Sequence, residues 1–322
     1  MPTKELHVIF GTGPVGLATA GALLKRGHQV RLVNRSGKAS VPESAELVAA
    51  DALEPAQAKG AVKGARVVYS CAQPAYTRWP EEFPALQRAI LNAAADTGAK
   101  LVLADNLYMY GNVDGPIHET LSYAATTRKG KVRAAMAAEA LAAHEKGRVR
   151  VTIGRASDFY GPFVLESALG ERVFGPLLQG KTAQLVGDID QPHSYTFIGD
   201  FGEALAILGE RDEADGQVWH VPNAPTHSTR KVVTKAFELA GQTPKMSSMG
   251  RLMMRVGGIF IPGARETVEM MYEFEQPFVV DDSKFKRAFG DISTGFEEGL
   301  EQTLAWYRTH GVPQTLESKV TV

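Results

Sequence analysis

The opening of this chain limits its fold more than any other stretch. Leu6 to Phe10 is a short apolar run of strand formers, followed at once by Gly11-Thr12-Gly13-Pro14-Val15-Gly16. Leu17 to Arg26 reads as a helix and Gln29 to Val33 as a second strand. Strand, glycine turn, helix, strand is the context a dinucleotide-binding turn requires. Gly11 allows the tight turn, Gly13 lets backbone N–H groups approach a pyrophosphate, and Gly16 lets helix and strand pack closely. The helix N-terminus adds free N–H groups and partial positive charge. The competing reading is a plain strand-to-helix turn in a doubly wound protein.

Composition narrows the classes. The formal net charge of −1 over 322 residues gives no case for nucleic acid or a membrane surface. A single cysteine, Cys71, allows no disulfide within the chain and fits a reducing compartment. No signal peptide is expected ahead of the first strand, no apolar run reaches the ~18 residues of a membrane span, and the expected location is cytoplasmic. A hydrolase is disfavoured, because there is no GxSxG elbow and the histidines are scattered rather than set at metal-ligand spacing.

The second strand ends in Asn34-Arg35-Ser36-Gly37-Lys38, with no acid to bind a ribose 2′-hydroxyl. Arg35, with Asn34 and Ser36 as donors, suits a 2′-phosphate and predicts NADP over NAD. Strands are expected over 46–50, 66–70, 100–104 and 150–155, and helices over 55–62 and 79–97, with Gly98 as a cap. Cys71 to Pro74 follow a strand end and should line the cofactor crevice, with Cys71 as packing rather than nucleophile. Asp105 to Gly111 is a polar and aromatic cluster after the fifth strand. If it stays extended, Asn106, Tyr108 and Tyr110 share one side. Thr126 to Lys131 opens an alanine-rich helix with positive charge, the wrong sign for the macrodipole, which favours a function for at least one lysine. After Gly161 the alternation of strands and helices breaks down. The expected division is 1–162 for an NADP-binding Rossmann domain and 163–322 for a smaller substrate lobe with segments returning to the sheet. The methionine-rich run 249–261 reads either as adaptable core or as a flexible pocket wall.

The glycine turn, Asp51, Tyr110-Gly111, Arg155 through Tyr160-Gly161-Pro162, Gly187-Asp188, His193-Ser194-Tyr195 and Asp200 fall in an order that resembles the extended and atypical short-chain dehydrogenase/reductase superfamily, its NAD-dependent epimerase/dehydratase-like branch. The resemblance implies an α/β doubly wound parallel sheet with a smaller C-terminal lobe, and dimerisation through the long helices after the fourth and fifth strands. It places Gly11 to Gly16 at the pyrophosphate, Arg35 and Ser36 at the adenosine ribose, and Asp51 and Ala52 at the adenine. Ala72 and Gln73 would run beside the ribose chain, with Phe159 and Tyr160 near the nicotinamide. Phe10 stands at the first glycine of the family's usual GxxGxxG.

The family's working set is a Ser or Thr, a Tyr and a Lys, the last two spaced YxxxK. The phenol gives a proton to a carbonyl, and the lysine depresses its pKa and bonds the ribose. Here Asn106 takes the Ser position and Thr127 the Tyr position, while Lys131 keeps the lysine; a register shifted by two residues selects Lys129 instead. Tyr108 is the first candidate for a replacement acid, with Tyr123 a second. Asn106 would orient the substrate oxygen. His193 and Tyr195 line the substrate side or make structural hydrogen bonds. The expected activity is NADP(H)-dependent redox chemistry at the carbonyl or hydroxyl of a small molecule. Two alternatives stand beside it: an epimerase or dehydratase that retains its nicotinamide, and a non-catalytic NADP-binding regulator.

Overall fold

A computed structural model describes residues 4–257 and 262–311. The first half alternates as the glycine turn demands. It runs β1 (Leu6–Phe10), α1 (Pro14–Lys25), β2 (Gln29–Asn34), β3 (Ala45–Ala49), α2 (Pro55–Ala61), β4 (Val67–Ser70), α3 (Trp79–Thr97), β5 (Lys100–Asp105), α4 (Arg128–Glu145) and β6 (Val151–Arg155). Gly98 ends α3 at φ 72°, a left-handed cap that a Cβ would oppose. The second half runs β7 (Asp158–Tyr160), α5 (Glu171–Leu178), β8 (Ala183–Val186), β9 (Pro192–His193), β10 (Tyr195–Phe197), α6 (Ile198–Glu210), β11 (Val218–His220), β12 (His227–Ser228), α7 (Thr229–Leu239) and β13 (Met246–Met249). Five helices follow: α8 (Arg251–Gly257), α9 (Pro262–Val268), α10 (Tyr272–Glu275), α11 (Ser283–Phe289) and α12 (Phe296–His310).

The strands form a seven-stranded parallel sheet in the order β11-β6-β5-β4-β1-β2-β3. Val8, Ile9, Leu32, Val68, Leu101 and Ile153 are buried, as expected for strands covered on both faces. One face packs on α1 and α6, the other on α2, α3 and α4. Strand order reverses between β1 and β4, so a crevice opens beyond their carboxyl ends. The edge strand β11 comes from the second half of the chain, beside β6. The rest of that half builds small pairs, β7 with β10, β8 with β13 and β9 with β12. No helix of the described residues is long and apolar enough to cross a membrane.

Several local expectations fail. The segment after β5 is not extended: the Asn106 carboxamide oxygen accepts the Tyr108 N–H at 3.2 Å, and Tyr108–Tyr110 closes into a 3-10 turn. Asn106, Tyr108 and Tyr110 therefore do not share a face. The stretch 193–198 breaks into β9 and β10, and 266–273 into the end of α9 and the start of α10. In the methionine-rich run, Leu252 and Met253 are exposed and Met254 is buried; 258–261 lie outside the described residues.

Candidate active-site crevice

The carboxyl ends of β1, β2, β4, β5 and β6 open on one cavity of about 770 Å³. Its floor begins at the glycine turn. Gly11 has φ +109°, and a Cβ there would sit 2.7 Å from the Ala72 nitrogen. A Cβ on Gly16 would sit 2.1 Å from the Gly11 carbonyl oxygen, so only glycine lets α1 pack this close to β1. Gly13 differs: nothing lies within 4 Å of the position a Cβ would take. It is the N-cap of α1, with Pro14 next and no side-chain cap, so the first-turn N–H groups stay available to an anion. This cradle fits a dinucleotide pyrophosphate.

Gly11, Thr12, Gly13, Pro14 and Val15 are all on the wall; Gly16 is buried behind it. Asn34 and Arg35 follow, then Asp51, Ala52 and an exposed Leu53. Asn34 is occupied in shaping the loop. Its amide donates to Thr12 Oγ1 at 3.0 Å, and its oxygen accepts the Gly37 N–H at 2.7 Å. Ser36 bonds within the same loop and is not on the wall. Arg35 is exposed, and among the described residues it makes no ion pair. Cys71, Ala72, Gln73 and Pro74 line the next stretch. Burial pushes the Cys71 thiol up to about 12, partly offset by the Thr19 hydroxyl, so it stays protonated. Phe159 lines the wall, whereas Tyr160 is fully buried behind it, packed on Phe197 and Phe296.

The far end gathers Asn106, Tyr108, Tyr76, Arg133, Ser157, Asp158, Glu273 and Phe278. Tyr76 and Tyr108 approach hydroxyl to hydroxyl at 3.4 Å. Burial raises both phenols, and among the described residues no cation bonds either hydroxyl. Beneath them Asp105 accepts from Arg133 Nε at 2.7 Å and from Arg155 Nε at 3.0 Å. Arg155 is fully buried and also donates to Tyr110 and Tyr123, each at 2.7 Å. Tyr110 continues to His220 at 2.9 Å, and burial lowers that imidazole to about 3. This network supports the ends of β5 and β6. It also removes Tyr123 from the substrate side, because its hydroxyl faces Arg155 and it is not on the wall.

Helix α4 turns inward the alternative lysine, Lys129, and not Lys131. Lys131 is exposed and off the wall, on the solvent side of the helix. Thr127 is the N-cap, its hydroxyl accepting the Gly130 N–H. The inward face is Lys129, Gly130, Arg133, Met136 and Ala137, the 3.6-residue repeat. Lys129 is fully buried, ion-paired with Glu266 and, at 2.8 Å, with Glu269, and lies 4.4 Å from the Tyr76 ring centroid. Lys129 and Arg133 thus repeat the spacing of the YxxxK pair, with a buried cation at each position. His193 and Tyr195 are also core rather than wall. The Tyr195 hydroxyl bonds Thr229 at 2.8 Å, and His193 reaches the crevice only through Asp158, at 2.9 Å from its Nε2. No described residue of the run 249–257 is on the wall. Reading the sequence missed Tyr76, Asp158, Arg133 and Glu273. Only Arg133 carried a signal, four positions after Lys129.

Comparison with known proteins gives concordant results. Residues 8–221 match the model of the NAD dependent epimerase/dehydratase family. The chain is 24% identical over 232 residues to a dTDP-glucose 4,6-dehydratase of Streptomyces griseus, covering 69% of this chain and 63% of that one. It is 26% identical over 153 residues to a trifunctional UDP-glucose 4,6-dehydratase/UDP-4-keto-6-deoxy-D-glucose 3,5-epimerase/UDP-4-keto-L-rhamnose-reductase of Arabidopsis thaliana, covering 48% of this chain and 20% of that one. The chain thus spans less than two thirds of these relatives' length. Among solved structures, the UDP-glucose 4-epimerase of Thermus thermophilus in complex with NAD superposes with a TM-score of 0.76 at 19% identity, covering 95% of this chain and 100% of that one. The dTDP-glucose 4,6-dehydratase of Bacillus anthracis, also with NAD, gives 0.77 at 16%, covering 95% and 97%. These likenesses carry the fold.

Proposed function

The chain belongs to the NAD dependent epimerase/dehydratase family, and from that premise we propose an NADP(H)-dependent oxidoreductase acting at a carbonyl- or hydroxyl-bearing carbon of a small, non-phosphorylated molecule. One observation carries the reading: a single crevice runs from the glycine cradle, past an Arg35 without an ion pair, to a cluster of neutral and acidic polar groups. Bound there, the nicotinamide supplies or accepts the hydride; everything else is left to the side chains. Gly11 to Val15 hold the phosphates, Arg35 the 2′-phosphate, and Asp51, Ala52 and Leu53 enclose the adenine. Ala72, Gln73 and Phe159 line the path to the nicotinamide. Asn106, Tyr76 and Tyr108 orient the substrate oxygen.

Charge argues for the substrate class. Apart from Arg35 and Asp51, the charged residues of the wall are Glu81, Glu82, Asp105, Asp158, Glu166 and Glu273, against Arg78 and Arg133. Arg78 is paired with Glu82 and Arg133 with Asp105. A substrate diphosphate would find no unpaired cation among these wall residues. The solved relatives carry NAD, and their names specify nucleotide sugars. The second reading is therefore an epimerase or dehydratase that keeps its nicotinamide through each cycle.

Titration of purified protein with NADPH and NADH decides the cofactor. NADPH should bind at least tenfold tighter, and Arg35→Ala should remove that margin, because a hydrogen bond to a charged group contributes about 1.5–3 kcal/mol. Equal binding of both cofactors by wild type would reverse the assignment to NAD. Cofactor copurifying at one per chain, with product formed and no NADPH consumed, would establish the second reading.

A further inference from the structure

The far end of the crevice holds a carboxyl group that the proposed function does not yet use. Glu273, in α10, is 1% exposed, and among the described residues its Oε1 has no hydrogen-bond partner, although the residue is on the crevice wall. An unpaired buried polar atom is costly, and its presence on a crevice wall calls for an explanation. Asp158, at the start of β7, lines the same end, and its Oδ2 meets His193 Nε2 at 2.9 Å. The other ring nitrogen, Nδ1, faces the Glu273 carbonyl oxygen at 3.2 Å. His193 therefore sits between the Asp158 side chain and the Glu273 backbone. From other elements the groups facing this end are Tyr76 and Tyr108, with Tyr272 beside Glu273 on α10. Behind Tyr76 stands Lys129, neutralised by Glu266 and Glu269.

We infer that Glu273 is the proton donor to the substrate oxygen, in place of the phenol that α4 lacks. The inference rests on reading the crevice as a hydride-exchange site. Burial, reinforced by the like charge of Asp158, holds the Glu273 carboxyl well above the usual range, while the Tyr272 hydroxyl works the other way. The raised carboxyl favours the protonated acid, with an O–H to give and, among the described residues, no partner on its free oxygen. In the reductive direction that O–H bond breaks and its proton passes to the carbonyl oxygen. The carbonyl carbon gains hydride, its electron pair drawn from a reduced nicotinamide dinucleotide, and the C=O π pair becomes the new O–H bond. Glu273 is left as a carboxylate and recovers a proton from solvent before the next cycle. Oxidation of an alcohol runs the same step backward. Asp158 is a positioning residue, acting through its charge on Glu273.

Glu273→Gln tests this, since glutamine matches the neutral acid in shape and cannot ionise. NADPH affinity should stay within twofold of wild type. Between the ordinary carboxyl value of 4.5 and the raised folded value, the unfolding equilibrium constant of wild type should rise up to tenfold per pH unit relative to the variant. With an aldehyde or ketone that the wild-type holoenzyme reduces, Glu273→Gln should slow single-turnover NADPH oxidation by at least about 100-fold. Wild-type reduction should fall as pH rises through the Glu273 pKa, and Asp158→Asn should move that fall to lower pH. Failure of wild type to bind NADPH or NADH removes the hydride-exchange reading itself. Cofactor binding with parallel pH–stability curves for wild type and Glu273→Gln, or turnover by the variant within twofold, removes Glu273 alone.

Discussion

Gly13 and Gly16 stand in one turn under opposite constraints, and that contrast separates binding from folding. A methyl at Gly13 meets empty space, whereas one at Gly16 collides with the Gly11 carbonyl. Gly13→Ala should therefore leave urea-unfolding stability within about 0.5 kcal/mol while weakening NADPH at least tenfold in a fluorescence titration. Gly16→Ala should cost about 1–3 kcal/mol from overpacking. An intact NADPH affinity in Gly13→Ala would place the phosphates elsewhere. The two phenols give a second contrast. Burial raises the Tyr108 hydroxyl and, among the described residues, no cation is bonded to it, which makes it a weaker acid than a free phenol. Tyr108→Phe should then lower kcat about tenfold or less, the worth of one hydrogen bond, while Glu273→Gln loses far more. The glycines were legible because backbone geometry dictates them locally. Glu273 was not, because nothing beside it in sequence marks a residue that only tertiary folding brings to the strand ends.

At the scale of elements, α4 shows how a helix conceals its own active face. Its first turn reads as a uniform basic cluster, yet the 3.6-residue repeat buries Lys129 and Arg133 and leaves Lys131 in water. The motif aligned by sequence left Lys129 and Lys131 both open, and the helix repeat selects Lys129. The pairing of α1 with α6 was equally hidden, since the two are separated by most of the sheet. Gly202 of α6 fits against the α1 backbone so closely that a Cβ would lie 2.3 Å from the Ala18 carbonyl carbon. Because α1 carries the phosphate cradle at its start, Gly202→Ala should both destabilise the fold by about 1–3 kcal/mol and weaken NADPH. Asp200, in the first turn of α6, accepts from the Thr294 N–H at 2.7 Å and its hydroxyl at 2.6 Å, tying the segment before α12 to this helix. Burial nevertheless pushes its carboxyl up to about 6, against those bonds. A raised carboxyl keeps its proton in the folded state, so this contribution is full below the unfolded value near 3.8 and is lost as pH rises to 6. Asp200→Asn should flatten the pH dependence of stability across that window, a difference of about 3 kcal/mol, measured by denaturant unfolding at each pH. Curves that stay parallel would mean Asp200 titrates as a free carboxyl.

For the whole molecule, the first half could be read almost strand by strand, since parallel strands covered on both faces leave dense apolar runs bounded by turn residues. The second half could not, because its short strands pair with distant partners: β7 with β10, β8 with β13, and β11 with β6. Those crossings matter for cooperativity. The second half supplies an edge strand of the central sheet, a helix on α1, and Glu166, Phe201, Glu273 and Phe278 on the crevice wall. A ligand in the crevice therefore meets walls from both halves, and both halves contribute to one buried cluster. Calorimetry should show one transition that moves as a unit when NADPH is added. At a hundred times its Kd, NADPH should add about 2.7 kcal/mol. If Arg35→Ala weakens NADPH by tenfold to a hundredfold, the same concentration should add only about 1.4 to 0.4 kcal/mol by that relation, with stabilisation by NADH unchanged. Two separate transitions, only one of them shifted by cofactor, would mean the halves fold independently and the crevice belongs to the first alone.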